Sequence, residues 1–406
     1  MQVKGKLTAA WFDWTFRLLF LSFALPARMQ TLIVFVTSVF VGIHCYQHRT
    51  SEAHKKIIKP LLLGTPFLFF LIYFFLTPTA SLHAWWKYTE RSLAIFIVPF
   101  IAYGLMNAYP QGLRKNLSWY VIPLCLQALL GAVLCWYHGF SNAVDFRIYF
   151  ETIIGKHPTY MGMHLAMVLS ILLIHGKAAC FQKKEITIFV SLITGVVLIL
   201  LASKIIWVVV ALILLVYLLY QLKRKQKQAL LIFGIGMLLL VVAWFIPYTQ
   251  YRMQELVVMF QSNTEQSGLN TVSLRKVLLQ IDYNILQTYG LWGIGPVQLQ
   301  AEINKQLLFY ASATGIPIGS YNSHNEYLNQ WLCFGIPGLL VFLSTLFLYW
   351  KKAIQHQNLL FILVLVIVCV TMLTENILTR QHGVVFYALW LGLFYFERKW
   401  PSKNYP

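Results

Sequence analysis

The chain reads as an all-α, polytopic membrane protein of about twelve transmembrane helices with one large loop outside the membrane. Three observations predict this. Hydrophobic residues make up 59% of the chain and charged residues 11%, too little charge to coat a soluble domain of 406 residues. Apolar runs recur from one end to the other, long enough to cross a bilayer at about 20 residues each. The Lys and Arg residues divide unevenly between the two sets of loops that those runs define.

Backbone polar groups in hydrocarbon must bond internally, so each run is a helix or a barrel strand. Barrel strands alternate polar and apolar residues, and these runs do not. Spans are expected near residues 8–25, 30–46, 58–77, 91–107, 117–137, 159–176, 186–202, 204–222, 228–246, 328–350, 357–374 and 383–397. With the N-terminus in the cytoplasm, 20 of the 32 Lys+Arg fall in short cytoplasmic loops, among them Lys55-Lys56, Lys223-Arg224-Lys225 and Lys351-Lys352. Eleven are spread over the longer outer loops, and Arg17 lies inside the first helix. This asymmetry predicts an inner-membrane protein with both termini cytoplasmic. It also accounts for the net charge of +19 without a nucleic-acid partner. The first run carries Asp13 and Arg17 at i,i+4 spacing, an expected intrahelical ion pair. It lacks a small-residue cleavage site and is expected to remain as a first helix. The chain then divides into 1–246 (nine helices), 247–327 (a large periplasmic loop) and 328–406 (three helices).

Residues 247–327, 81 in all, contain no spanning run and fall on the outer side. Such a loop in a compact protein is usually functional or disordered, and its aromatic and aliphatic content argues against disorder. Turn signals occur at Gln266-Ser267-Gly268, Gly290, Gly293, Gly295-Pro296 and Gly315. One amphipathic helix is predicted, with Leu274, Val277, Leu278, Ile281 and Ile285 on one face and Arg275 and Asp282 on the others. A smaller outer loop near 138–158 carries Asp145, Arg147, Glu151, Lys156 and His157. The six cysteines include no C-x-x-C pair and suggest neither a disulfide framework nor a thiol metal site.

His324 opens His324-Asn325-Glu326-Tyr327, just before the tenth span. A histidine at the membrane boundary is able to take a proton from a hydroxyl. The alternative is an interfacial histidine that caps a helix, with Gly335-Ile336-Pro337-Gly338 an ordinary kink. Arg275 stands at the start of the amphipathic helix, where Ser273 is the expected N-cap. An Arg there opposes the helix dipole, so helix stability does not explain it, whereas a helix N-terminus plus a guanidinium suits an anion. The competing reading is a solvated surface Arg. Lys204 sits in the tight turn Ala202-Ser203-Lys204, either snorkelling to headgroups or lining a site. Glu375, Arg380 and His382 share an outer loop that joins the site or is merely wet, and His44 and His48 lie on the cytoplasmic rim. There is no Walker A motif, no Rossmann glycine pattern and no H-E-x-x-H. No cofactor and no metal are expected.

The run His324-Asn325, nine residues, Gly335, two residues, Gly338 resembles the signature of the bacterial O-antigen ligase and polymerase family. The layout is similar too: about twelve spans, a large periplasmic loop before the span that follows the His, an Arg early in that loop, and a Gly-Ile-Gly-Pro turn at Gly293–Pro296. His157-Pro158-Thr159-Tyr160, leading into span six, also looks like relatives in this family. One departure is Lys204, where family members commonly carry Arg after the Ser; the charge survives but the bidentate fork does not. The resemblance implies a GT-C-like, metal-independent, inverting glycosyltransferase working at the periplasmic face. Its donor would be a glycan on undecaprenyl pyrophosphate and its acceptor a hydroxyl of lipid A–core. Arg275 and His324 would be catalytic, with Arg275, Lys204, Arg147 and Arg380 around the donor pyrophosphate. Asn325, Glu326, Gly335 and Gly338 would support them.

Three variants share this chemistry: an O-antigen ligase, an O-antigen or capsule polymerase, and a protein O-oligosaccharyltransferase. A flippase or transporter of lipid-linked sugars is the alternative of another class. That alternative predicts internal repeats and broken helices near the midplane, and it gives no role to the 81-residue outer loop with its His.

Overall fold

The computed structural model describes residues 2–47, 53–76, 82–140, 142–176, 183–246, 249–250, 271–315 and 319–398. Among them the regular structure is entirely helical. In chain order the helices are α1 (Gln2–Ser22), α2 (Ala27–Gln47), α3 (Ala53–Leu63), α4 (Pro66–Leu76), α5 (Leu82–Ala108), α6 (Gly112–Lys115), α7 (Ser118–His138), α8 (Ala143–Ile154) and α9 (Pro158–His175). Then follow α10 (Lys184–Leu200), α11 (Lys204–Lys223), α12 (Gln228–Phe245), α13 (Thr271–Tyr289), α14 (Pro296–Thr314), α15 (Glu326–His356), α16 (Leu359–Thr371), a 3-10 turn at Ile377–Thr379, and α17 (Gln381–Phe396).

Among the described residues, seven helices are long and apolar enough to cross a membrane: α2, α5, α7 with the short α6 ahead of it, α9, α11, α12 and α15. Shorter apolar helices α4, α10 and α16 accompany them. The protein is therefore an all-α, multi-pass membrane protein. Each of the twelve apolar segments is helical, but the third is divided. Its two pieces, α3 and α4, meet at Gly64-Thr65 beyond Pro60, a residue that cannot donate the intrahelical bond.

Sequence pattern decides which helices are central. α9, α16 and α17 are apolar on all sides and buried along almost their whole length. Trp390 of α17 stacks on Phe20 of α1 and meets Tyr120 of α7 edge-on, giving the core its aromatic centre. α12 is equally apolar yet buries only Ala229 and Ala243, so its surface faces outward beside α11.

The long loop forms two helices rather than one. α13 buries Leu278, Ile281 and Ile285, as the periodicity predicts. Asp282 departs from the prediction: its residue is 1% exposed instead of lying on a wet face. α14 was not expected, because Gly295-Pro296 reads as a break. Pro at the first helical position starts a helix instead, since its missing N–H has no intrahelical partner there anyway. Leu299, Ile303 and Leu307 then recur every four residues and pack with α13 against Phe67 and Phe70 of α4, Trp85 of α5 and Leu332 of α15. The two loop helices thus form a second core on the end of the bundle that carries His324.

Candidate functional site

α15 is broken at Gly335, whose φ of 68° and ψ of −168° are not helical. The break exposes backbone groups, and the turn before α14 uses them. Ile294 N–H donates to Leu332 O at 2.9 Å, Gly295 N–H to Cys333 O at 2.8 Å, and Ile336 N–H to Leu291 O at 3.1 Å. A Cβ on Gly335 would run into the Leu291–Trp292 backbone, and one on Gly293 into Cys333 and Gly335. The two glycine motifs of the sequence are therefore two halves of one junction, which docks the loop helices on α15. Gly338 is buried one turn further along, facing Phe69 of α4.

The start of α15 is held by its own residues. Asn325 is the N-cap and its side chain accepts from Leu328 N–H at 3.0 Å. Glu326 is fully buried; it accepts from Gln330 at 2.8 Å and from Leu378 N–H at 2.8 Å, tying α15 to the 3-10 turn. His324 is not the cap. Its φ is 48°, in the left-handed region, and its N–H donates to the Asn322 side chain at 3.1 Å. That backbone turn directs its ring toward Glu375, with Nδ1 3.6 Å from the carboxylate.

Glu375 is the meeting point. Its second oxygen is 3.9 Å from the Arg275 guanidinium. Burial pushes its carboxyl up, but His324, His157 and Arg275 outweigh burial and hold it below the ordinary carboxylate range. His157 caps α9 by accepting from Thr159 N–H at 3.3 Å, and burial lowers its own pKa against the opposing pull of Glu375. Sequence alone leaves Glu375 undecided and does not single out His157. The available signal was that Glu375 is the only acidic residue between spans eleven and twelve.

Arg275 is the fifth residue of α13, which begins at Thr271, so Ser273 lies inside the helix instead of capping it. Lys204 is the first residue of α11, following Ala202 at φ 44° and Ser203. Both cations line an apolar groove of about 680 Å³ between α11 and α12, walled by Trp207, Leu240, Val241 and Trp244, with Thr374 beside Glu375 closing its end. Two further predicted cations stand elsewhere. Arg147 donates to the carbonyls of Leu201 and Ala202 at 3.1 and 3.3 Å, fixing the turn that presents Lys204. Arg380 lies 3.6 Å from Glu151 and over the Tyr160 ring, away from the groove lining.

Chemically, then, an apolar groove ends in two cations, and next to them a histidine is backed by a carboxylate. Residues 189–343 match the family model described as O-antigen ligase. No match is found among curated proteins. The matched stretch runs from α10 into α15 and includes Lys204, Arg275, His324, Gly335 and Gly338, whereas Arg147, Glu375 and Arg380 lie outside it. The match covers 155 of the 406 residues; it likens that stretch to the O-antigen ligase family and supports a transferase role.

Proposed function

We propose that the protein is an O-antigen ligase, moving a glycan from undecaprenyl pyrophosphate to a hydroxyl of lipid A–core at the periplasmic face of the inner membrane. On this reading all twelve apolar segments cross the membrane in a GT-C-like arrangement. Residues 1–246 and 328–406 supply the spans, residues 247–327 the periplasmic part, and both termini are cytoplasmic.

The observation that carries the reading is the groove. Its apolar walls suit a polyprenyl chain, and Lys204 and Arg275 stand where the pyrophosphate would emerge. The acceptor oxygen attacks the anomeric carbon while the bond from that carbon to the pyrophosphate oxygen breaks, and the bonding electrons pass to the phosphate. Arg275 and Lys204 stabilise the charge that develops there. The acceptor proton goes to His324, and Glu375 orients the imidazole and stabilises it once protonated. Direct displacement inverts the anomeric centre. Pyrophosphate is already an activated leaving group, so no nucleotide is needed, and the two cations take the part a metal would play.

Purified protein in liposomes with lipid-linked glycan and lipid A–core is expected to transfer glycan in EDTA without ATP. Lys204→Arg should keep substantial activity and Lys204→Ala should lose about 10²-fold, as for a lost electrostatic donor. A parental rate for Lys204→Ala, or strict dependence on a restored divalent ion, would overturn this arrangement. A deletion strain separates the variants. Loss of all polymer from lipid A–core with lipid-linked polymer accumulating means a ligase, and retention of one repeat unit on the core means a polymerase.

A further inference from the structure

A second cavity, of about 190 Å³, lies beside the site and has different chemistry. The segment Thr374–Arg380 borders the lipid groove with its first residue and this cavity with its last three, Glu375 falling between them. Asn322 and Glu326, two residues either side of His324, also line it. The cavity and the groove therefore flank the His324–Glu375 pair.

Its floor is buried and polar: Glu326, Gln330 and Ser92 are each 2% exposed or less. Its rim carries Arg91 and Arg380. Phe70, Leu299 and Ile303 supply apolar wall. The polar side chains are fixed before any ligand arrives. Gln300 donates to Tyr321 O at 2.8 Å, Gln330 to Glu326 at 2.8 Å, and Arg91 to Thr379 O at 3.3 Å. Gln300 also donates to Asn304 at 3.0 Å, which occupies both of its N–H groups and leaves its carbonyl, whereas Gln330 keeps a second N–H as well as its carbonyl.

A preset mixture of amide donors, carbonyl and carboxyl acceptors and apolar wall suits a ring that bears both hydroxyls and C–H groups. At roughly 30 Å³ per water the volume equals about six waters, room for one sugar ring and not for a polymer. It suits a phosphate poorly. Glu326 sits in the floor as a hydrogen-bond acceptor facing what would be further acceptor oxygens, and Arg380 is drawn toward Glu151. This argues against the expectation that Arg380 holds the donor pyrophosphate.

We propose that this cavity is the subsite for the acceptor's terminal sugar, holding the ring so that its hydroxyl reaches His324 from the side opposite the lipid groove. The inference rests on the transferase reading. It is tested by steady-state kinetics in liposomes with Tyr88→Phe and Asn329→Ala, both in the cavity lining. Donor and acceptor are varied separately, and two acceptors are used, lipid A–core and a lipid-linked single repeat. The acceptor KM is expected to rise about 5- to 10-fold per lost hydrogen bond, with kcat and donor KM changed by less than about twofold. The acceptor for which this occurs identifies the source of the sugar. An unchanged acceptor KM for both acceptors, or a rise in donor KM instead, overturns the subsite and leaves the transferase reading standing. A parent protein that transfers to neither acceptor overturns both. Should Asn329→Ala fail to insert, Tyr88→Phe, which removes a single oxygen, decides the question alone.

Discussion

Two charged clusters at opposite ends of α5 are built to different rules. Near its C-terminal end, Asp13 is held by Arg17 at 2.6 Å, Lys115 at 3.1 Å and Asn116 at 2.8 Å. Beside it Glu397 is held by Arg114 at 2.8 Å and Asn358 at 2.7 Å. Every carboxylate there is tightly and multiply bonded. At the other end, Glu375 faces Arg275 at 3.9 Å and His324 at 3.6 Å, and Arg380 faces Glu151 at 3.6 Å. These are ion-pair distances without hydrogen-bond contact. Short, closed pairs fix helices against one another. Long, open pairs leave donors for something that is to arrive, and apo catalytic contacts are often loose in this way.

The largest expected effect comes from breaking the open cluster. His324→Ala should lower turnover by about 10²–10⁴, the scale of a general base, while donor binding survives. Arg275→Ala should cost roughly 10²–10³, and Arg275→Lys should keep part of the activity because charge remains without the fork. Rates and donor affinity measured on the purified variants check both. A fully active, well-expressed His324→Ala would make the histidine structural.

Breaking the closed cluster should do the reverse. Asp13→Ala leaves Arg17 and the buried Asn116 without their shared partner. Removing one partner of such a pair costs on the order of 3 kcal/mol of stability. Arg17 keeps its place over the Trp14 ring, which softens the loss. Thermal unfolding in detergent should show a clear drop in midpoint, with turnover per folded molecule unchanged. A variant as stable as the parent but slower in transfer would place Asp13 in the reaction and erase the contrast.

The two clusters were not equally legible in sequence. Asp13–Arg17 could be read directly, because i,i+4 spacing on a helix specifies contact. His324, Asn325, Gly335 and Gly338 were legible as a pattern, though only the structure gives the mechanical reason: the kink at Gly335 receives the turn around Gly293. Glu375 was not selected. Its contact with His324 crosses two helices, and nothing local distinguishes an acid in a short loop from a wet one. The same holds for α14, whose start was hidden in a Gly-Pro turn signal, and for Asp282, whose helical position was correct but whose face was not.

Asp282 belongs to neither cluster and offers the smallest effect. It is buried on α13, and neither carboxyl oxygen has a hydrogen-bond partner among the described residues. Burial pushes its pKa from the ordinary 3.8 up to about 7. Between those values the folded chain holds a proton that the unfolded chain has released. The Asp282 contribution to stability should therefore fall as pH rises from about 4 to about 7 and then level off. Three neighbours of the site tilt the other way. Buried Lys156, pushed down to about 7, adds stability with rising pH only above that window. His382, pushed down to about 4 by burial and by Lys156, adds stability within it, and His157, lowered by burial, adds a little more. The difference between parent and Asp282→Asn cancels all three. The amide keeps the shape and cannot ionise, so the variant should match the parent near pH 4 and exceed it at pH 7.5, by a few kcal/mol at most. Unfolding midpoints across that range read the difference. Because the amide preserves the packing of α13, which also carries Arg275, the variant should transfer glycan at the parental rate; parallel parent and variant curves would mean that Asp282 is solvated in the folded protein.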